Sequence, residues 1–190
     1  VWRDMDKEEA KRRVLHSESL LVLGIAGTGK SSFCQECVEE LRSLGRVVEV
    51  VAKCHVAAAR IGGVTADYFA RRRLIHGSLG ATTTIWIDEI SQVDCQLWNA
   101  FNRVPEGVQF ILSGDFNQFP ALWNTFRGDT VHDEALERSA FLRDLCGGNR
   151  LILREGHRSC MELFEFYSSL IVGGQRFTQT LPEVLQAARA

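Results

Sequence analysis

Eight consecutive residues, Gly24-Ile25-Ala26-Gly27-Thr28-Gly29-Lys30-Ser31, carry the spacing GxxxxGK[ST] directly after the apolar run Leu20 to Leu23 and at the start of a helix-forming stretch. The spacing has a chemical reason. Glycines let the backbone bend so that successive N–H groups face phosphate oxygens, and the amino end of the following helix adds the positive end of its dipole. Gly24, Ala26, Gly27, Thr28 and Gly29 are the candidate cradle, continued by Lys30, Ser31 and Ser32. Lys30 is placed to reach the β- and γ-phosphates of a nucleoside triphosphate, and the Ser31 hydroxyl to coordinate a Mg²⁺ bridging them. The competing reading, a glycine-rich turn without function, is disfavoured by the strand before it and the helix after it.

A second constellation lies downstream. Ile85-Trp86-Ile87-Asp88-Glu89 is an apolar strand ending in two carboxylates. A metal–triphosphate site needs one carboxylate for the metal, here Asp88 acting through water, and one to polarise the attacking water, here Glu89. An Asp-Glu pair after a strand is a weak signal alone, because acidic residues often begin loops. Its place on the third strand, downstream of Lys30, makes it stronger. A third segment, Leu112-Ser113-Gly114-Asp115-Phe116-Asn117-Gln118-Phe119-Pro120, again ends a strand in polar groups and a turn.

Elements must hold these groups together. Charged residues from Asp4 to His16 are expected to form a surface helix, Leu20 to Leu23 a strand, Ser31 to Leu44 a helix stopped by Gly45, and Val47 to Ala52 a second strand. Thr83 to Asp88 is expected as a third strand, Cys95 to Val104 as a helix, Val108 to Ser113 as a fourth strand, and Arg150 to Leu153 as a fifth. Met161 to Val172 reads as a further helix closed by Gly173 and Gly174, and the polar stretch Asn124 to Glu137 as a long loop or insertion. Strands that are continuous apolar runs alternating with helices imply an α/β fold, with a mainly parallel sheet flanked by helices and ligands at the strands' carboxyl ends.

The order GIAGTGKS, AAARIGGVTADYF, WIDEIS, LSGDFNQFP and LREGHRS resembles superfamily 1 helicases, especially the RecD-like and Pif-type 5′-to-3′ group. The resemblance implies the first of two RecA-like P-loop NTPase domains, binding ATP and Mg²⁺ and hydrolysing the nucleotide. It implies that Gln118 senses the γ-phosphate, that Asp115 supports the metal and water network, and that Arg158 contacts the γ-phosphate, with Arg154 as the neighbour able to take that role. It further implies that the stretch from Val51 to Thr65 lies along single-stranded nucleic acid, with His55, Val56, Gly63 and Thr65 in contact. The IGGVT segment favours DNA over RNA. Val51, Cys54 and His55 stand where the group commonly has threonine, threonine and glycine, and Ala66-Asp67-Tyr68 replaces a leucine-histidine-serine run. Asp4 to Ser19 holds no glutamine of the kind that reads adenine in the family, so ATP is the default nucleotide. Motifs for the second RecA-like domain are not matched before Ala190, and that domain is an implied partner. The alternatives are a viral-type RNA helicase domain and a nucleotide-switched nucleic-acid-binding module.

Arg71-Arg72-Arg73 with His76 reads either as a local phosphate-binding patch or as a solvated helix end. Phe116, Phe119 and Trp123 read either as base-stacking rings or as core. With 22 basic against 24 acidic residues and a net charge of −2, any nucleic-acid contact must be local. A length of 190 residues, 45% hydrophobic, fits one domain. The expected division is a helical segment over 1–19, a RecA-like ATPase domain over 20–172, and a segment over 173–190 leading to the second core domain. No apolar run is long enough to span a bilayer, and the six scattered cysteines suit reduced thiols, so an intracellular, cytoplasmic or nuclear setting is expected. Cys34 and Cys37 form a lone CxxC inside an expected helix, a poor zinc site.

Overall fold

The computed structural model describes residues 1–118, 121, 124–126, 129–131, 136–156, 171–172 and 175–176. In chain order the elements are β1 (Arg3–Met5), α1 (Lys7–Leu15), β2 (Leu20–Gly24), α2 (Lys30–Ser43), β3 (Val47–Ala52), α3 (His55–Arg60), β4 (Val64–Thr65) and α4 (Ala66–Phe69). A π-helical turn over Ala70–Ile75 continues α4 and leads to β5 (Thr82–Asp88) and a 3₁₀ turn over Ile90–Gln92. Then come α5 (Cys95–Phe101), β6 (Gln109–Gly114), β7 (Thr125–Phe126), β8 (Asp129–Thr130), α6 (Ala140–Leu145), β9 (Asn149–Leu153), β10 (Ile171–Val172) and β11 (Gln175–Arg176).

Seven strands form one sheet in the order β1-β9-β2-β6-β5-β3-β4, and every pairing in it is parallel. The apolar runs are two-faced because neighbouring side chains leave a strand on opposite sides. Leu21, Leu23, Ile85, Ile87, Phe110 and Leu112 enter one core, which Phe69, Leu97, Trp98, Phe101 and Leu142 complete from α4, α5 and α6. Leu20, Val22, Trp86 and Ile111 enter the other, covered by Ala10 and Val14 of α1, Phe33, Cys34, Cys37, Val38 and Leu41 of α2, and Ala57 and Ala58 of α3. Register aligns the carboxyl ends: Leu23 pairs with Gly114, Gly24 with Leu153, and Ala52 with Asp88. All the polar strand ends singled out in the sequence therefore emerge at one edge of the sheet.

Helix starts follow local chemistry. Side-chain oxygens of Asp6, Asp94 and Ser139 accept backbone N–H groups at the amino ends of α1, α5 and α6, as N-caps do. The start of α2 differs: its N-cap is Gly29, at φ 85°, and no side chain caps it. A helix amino end without a side-chain cap leaves room for an external acceptor.

Several expectations change. The first 19 residues are not a segment apart from the domain. β1 pairs with β9 through Arg3 and Asn149, Ala10 and Val14 are fully buried, and the Gln109 side-chain amide donates to the Val14 and Glu18 carbonyls at 2.8 and 2.7 Å. β1 is an exposed, charged edge strand, held by Arg150 on Asp4 at 2.6 Å, so it carries no hydrophobic signature. Within the stretch from Asn124 to Glu137, expected as a long loop or insertion, β7 and β8 form an antiparallel pair. Ile171 and Val172 are strand, paired with Gln175 and Arg176, where a helix end was expected; 157–170 lie outside the described residues. Cys34, Cys37 and Cys146 are buried thiols, and no cluster of three metal-ligating side chains occurs among the described residues. Burial pushes the Cys37 thiol up to about 12, which suits packing, not metal binding. No described helix is long and apolar enough to cross a membrane.

If α1 belongs to the core, Val14→Ala removes two methyl groups from a fully enclosed site and should cost about 2 kcal/mol. Urea unfolding of the two chains measures this; an unchanged midpoint would mean that residues 1–19 are not integrated.

Candidate nucleotide-binding and catalytic site

The loop after β2 is shaped by its small residues. A Cβ on Gly24 would meet Thr28 Oγ1 at 2.5 Å and the Leu153 carbonyl at 2.6 Å, so only glycine fits beside β9. Gly27 and Gly29 take φ of 84° and 85°, left-handed values that cost little only without a side chain. Thr28 is buried and donates its hydroxyl to the Ile25 carbonyl at 2.9 Å. Gly24 and Thr28 thus shape the loop, whereas Ala26, Gly27, Gly29, Lys30, Ser31 and Ser32 line the cavity above it. The Lys30 ammonium donates to the carbonyls of Gly24 and Ile25 at 2.6 and 3.0 Å, which keeps the cation over the loop.

Facing it, Asp88 ends β5 with 1% of its surface exposed. A buried carboxylate must be fully hydrogen-bonded. Ser31 Oγ donates to Oδ2 at 3.0 Å and Ser113 Oγ to Oδ1 at 2.6 Å. Ser113 in turn accepts the Trp86 indole N–H at 2.8 Å. Sequence reasoning missed Ser113 and Trp86; a serine and a tryptophan inside apolar strands were the available signal. Glu89 follows at φ 55°, ψ 48°, a left-handed conformation that costs a non-glycine residue roughly 1–2 kcal/mol. That turn presents the Glu89 carboxylate to the cavity.

From β6, Asp115 is buried, accepts the Asn117 N–H on its side chain at 2.9 Å, and accepts the Gln118 N–H on its carbonyl at 3.1 Å. This turn brings Gln118 to the same cavity, of about 410 Å³, with Asp88, Glu89, Gly114 and Asp115. The cavity also holds Arg60, which the sequence reading did not single out. Arg158 lies outside the described residues. Its alternative, Arg154, lines a neighbouring cleft with Asp6, Lys7 and Thr28. The residues fit Mg²⁺ bound with a nucleotide: the donors are hydroxyl and carboxylate oxygens, suited to a hard cation that keeps several waters, beside an uncapped helix amino end.

The expected nucleic-acid residues divide. His55 and Val56 open α3 and are exposed, Val56 by 81%. Arg71 and Arg72 are exposed, but Arg73 pairs with Glu49 at 2.7 Å. Gly63 owes its size to packing, because a Cβ there would strike the Val50 backbone. Thr65 caps α4, accepting the Tyr68 N–H at 3.4 Å. Of the rings read either as base-stacking or as core, Phe116 is 7% exposed within the core; Phe119 and Trp123 lie outside the described residues. Cys54 takes the N-cap of α3, its sulfur accepting the Ala57 N–H at 3.4 Å, so the thiol does there what a threonine hydroxyl does.

A parallel sheet ordered around β2, a glycine loop opening α2, and paired carboxylates across the gap define a RecA-like P-loop NTPase domain. A family model described as an AAA domain matches residues 4–144. The ATP-dependent DNA helicase PIF1 of Candida albicans is 32% identical over 156 residues, covering 67% of this chain and 17% of that protein. The ATP-dependent DNA helicase PIF1 of Homo sapiens is 32% identical over 136 residues, covering 57% of this chain and 21% of that protein. The crystal structure of the Candida albicans Pif1 helicase matches with a TM-score of 0.69 at 28% identity, over 86% of this chain and 43% of that one. The chain belongs to the AAA domain family, as a RecA-like domain of the Pif1-like superfamily 1 helicases. It spans about a fifth of the length of these two curated relatives.

Ser113→Ala strands a buried indole N–H and leaves Asp88 Oδ1 without its donor. The expected loss is about 1–3 kcal/mol of stability, read by thermal unfolding. Stability equal to the parent chain's would show that the triad of Trp86, Ser113 and Asp88 carries no energy.

Proposed function

We propose that this chain is the ATP-hydrolysing half of a motor acting on single-stranded DNA, working with a second RecA-like domain. The observation that carries this reading is the meeting of Lys30, Ser31, Asp88, Glu89 and Gln118 around one cavity, although they come from three separate strand ends. The backbone at the start of α2 binds the phosphates, and Lys30 leaves the loop carbonyls to pair with them. Ser31 and Asp88 are the residues that would hold Mg²⁺, which when bound neutralises phosphate charge. Glu89 accepts a hydrogen bond from the water that attacks the γ-phosphorus, and the bond from that phosphorus to the bridging oxygen breaks, giving ADP and phosphate. Gln118 reports whether the terminal phosphate is present, through the turn that its own N–H closes on Asp115. The names of the relatives, ATP-dependent DNA helicases, support DNA as the track, and the exposed His55, Val56, Arg71 and Arg72 supply a local surface for it despite the acidic total.

Two substitutions separate binding from chemistry. Lys30→Ala should weaken binding of a fluorescent ADP analogue in the presence of Mg²⁺ by at least about 10-fold, the loss of a charge-assisted contact. Glu89→Gln should leave that binding near the parent value while turnover falls by about 100-fold or more. Unchanged turnover in Glu89→Gln would remove Glu89 from the role of base. Stimulation of turnover by single-stranded RNA but not DNA would overturn the choice of track.

A further inference from the structure

Arg60 ends α3 and is not needed by any role given above. Its Nη2 stands 3.3 Å from Glu89 Oε1 and 3.9 Å from Asp88 Oδ2. The second of these oxygens is the one that accepts the Ser31 hydroxyl. The guanidinium therefore sits against both carboxylates that metal–nucleotide must use, and its side chain is 49% exposed, free to leave toward solvent. Two cations cannot share one carboxylate oxygen at full strength, because like charges a few ångströms apart repel.

We propose that Arg60 is a built-in counter-cation for the two carboxylates of the site: it holds the Glu89 carboxylate in an ion pair and competes with magnesium for Asp88, so that its guanidinium must swing away before Glu89 can orient water. This deepens the proposed function and rests on it. Arg60 is a positioning residue that restrains the site. It also ties the restraint to the outer surface. α3 is six residues long, about 9 Å at the usual helical rise, with Arg60 at one end and the exposed His55 and Val56 at the other.

The effect is modest in size because a half-exposed pair is screened by water and salt. In Arg60→Ala, the Mg²⁺-dependent part of the affinity for a fluorescent ADP analogue should tighten by about 2- to 5-fold, and the Mg²⁺ concentration for half-saturation should fall in step. Arg60→Lys should stay near the parent value, and raising the salt should close the gap between parent and alanine chains. A merely structural role cannot produce this pattern, since lost packing would weaken binding. Weaker Mg²⁺-dependent binding in Arg60→Ala would make Arg60 a phosphate ligand and overturn the inference, as would equal affinity. Parent chain that binds the analogue with no Mg²⁺ dependence would defeat the nucleotide-site reading, and this inference with it. Magnesium-dependent binding by the parent without tightening in the variant defeats the inference alone.

Discussion

The site depends on the enclosure of one carboxylate. Asp88 has 1% of its surface in contact with solvent, and a charge so placed is tolerable only if its lone pairs are taken up. Hydroxyls from α2 and from β6 do this, one on each oxygen. The arrangement couples three elements that are distant in sequence. It also constrains the sheet: β5 and β6 must pair with Ile87 opposite Leu112 for Ser113 to stand beside Asp88. A slip of one residue would turn Ser113 away from Trp86 and Asp88 and leave Asp88 Oδ1 without its donor. Register and the hydrogen bonding of Asp88 are thus one requirement.

Around this fixed point the backbone goes without a side-chain cap or takes a positive φ in places that a ligand could reach. The amino end of α2 has no side-chain cap while α1, α5 and α6 do. Gly27, Gly29 and Glu89 hold positive φ. All of these lie at the carboxyl ends of strands whose interiors are buried on both faces. The two cores below provide the rigidity that an unrelaxed rim needs, so the rim can be shaped by the requirements of phosphate and not by those of folding.

The parts of this design that were legible in the sequence are local ones. The phosphate loop could be read because glycine spacing, a preceding strand and a following helix are all contiguous, and the α/β class because β2, β5 and β6 are unbroken apolar runs. What escaped has no local signature. β1 is a charged edge strand whose place is set by a partner 146 residues away. α3 and β4 are too short for periodicity to declare them. Ser113 looked like the end of an apolar strand, and its function exists only through Asp88. Arg60 stood inside a segment read for nucleic acid, and only the return of α3 toward β5 brings it to Glu89. Phe116 is the case in which local sequence left two readings open, base stacking or core, and the turn from Asp115 to Gln118 sends the ring into the core.

The segment from Val51 to Thr65 can now be divided by cause. Gly63 is small because β3 lies against it, Thr65 and Cys54 are helix caps, and Lys53 is held by Asp67 and Asp94 at 3.1 and 2.9 Å. Burial pulls the Lys53 ammonium down, but those two carboxylates outweigh it and leave it above its ordinary value, so this cation is fixed and locally neutralised. Residues with an internal reason for their identity give no information about an external strand. His55 and Val56 are exposed at the amino end of α3, whereas Arg60 at its other end is held by Glu89 at 3.3 Å. The same short helix faces solvent at its amino end and the nucleotide cavity at its carboxyl end.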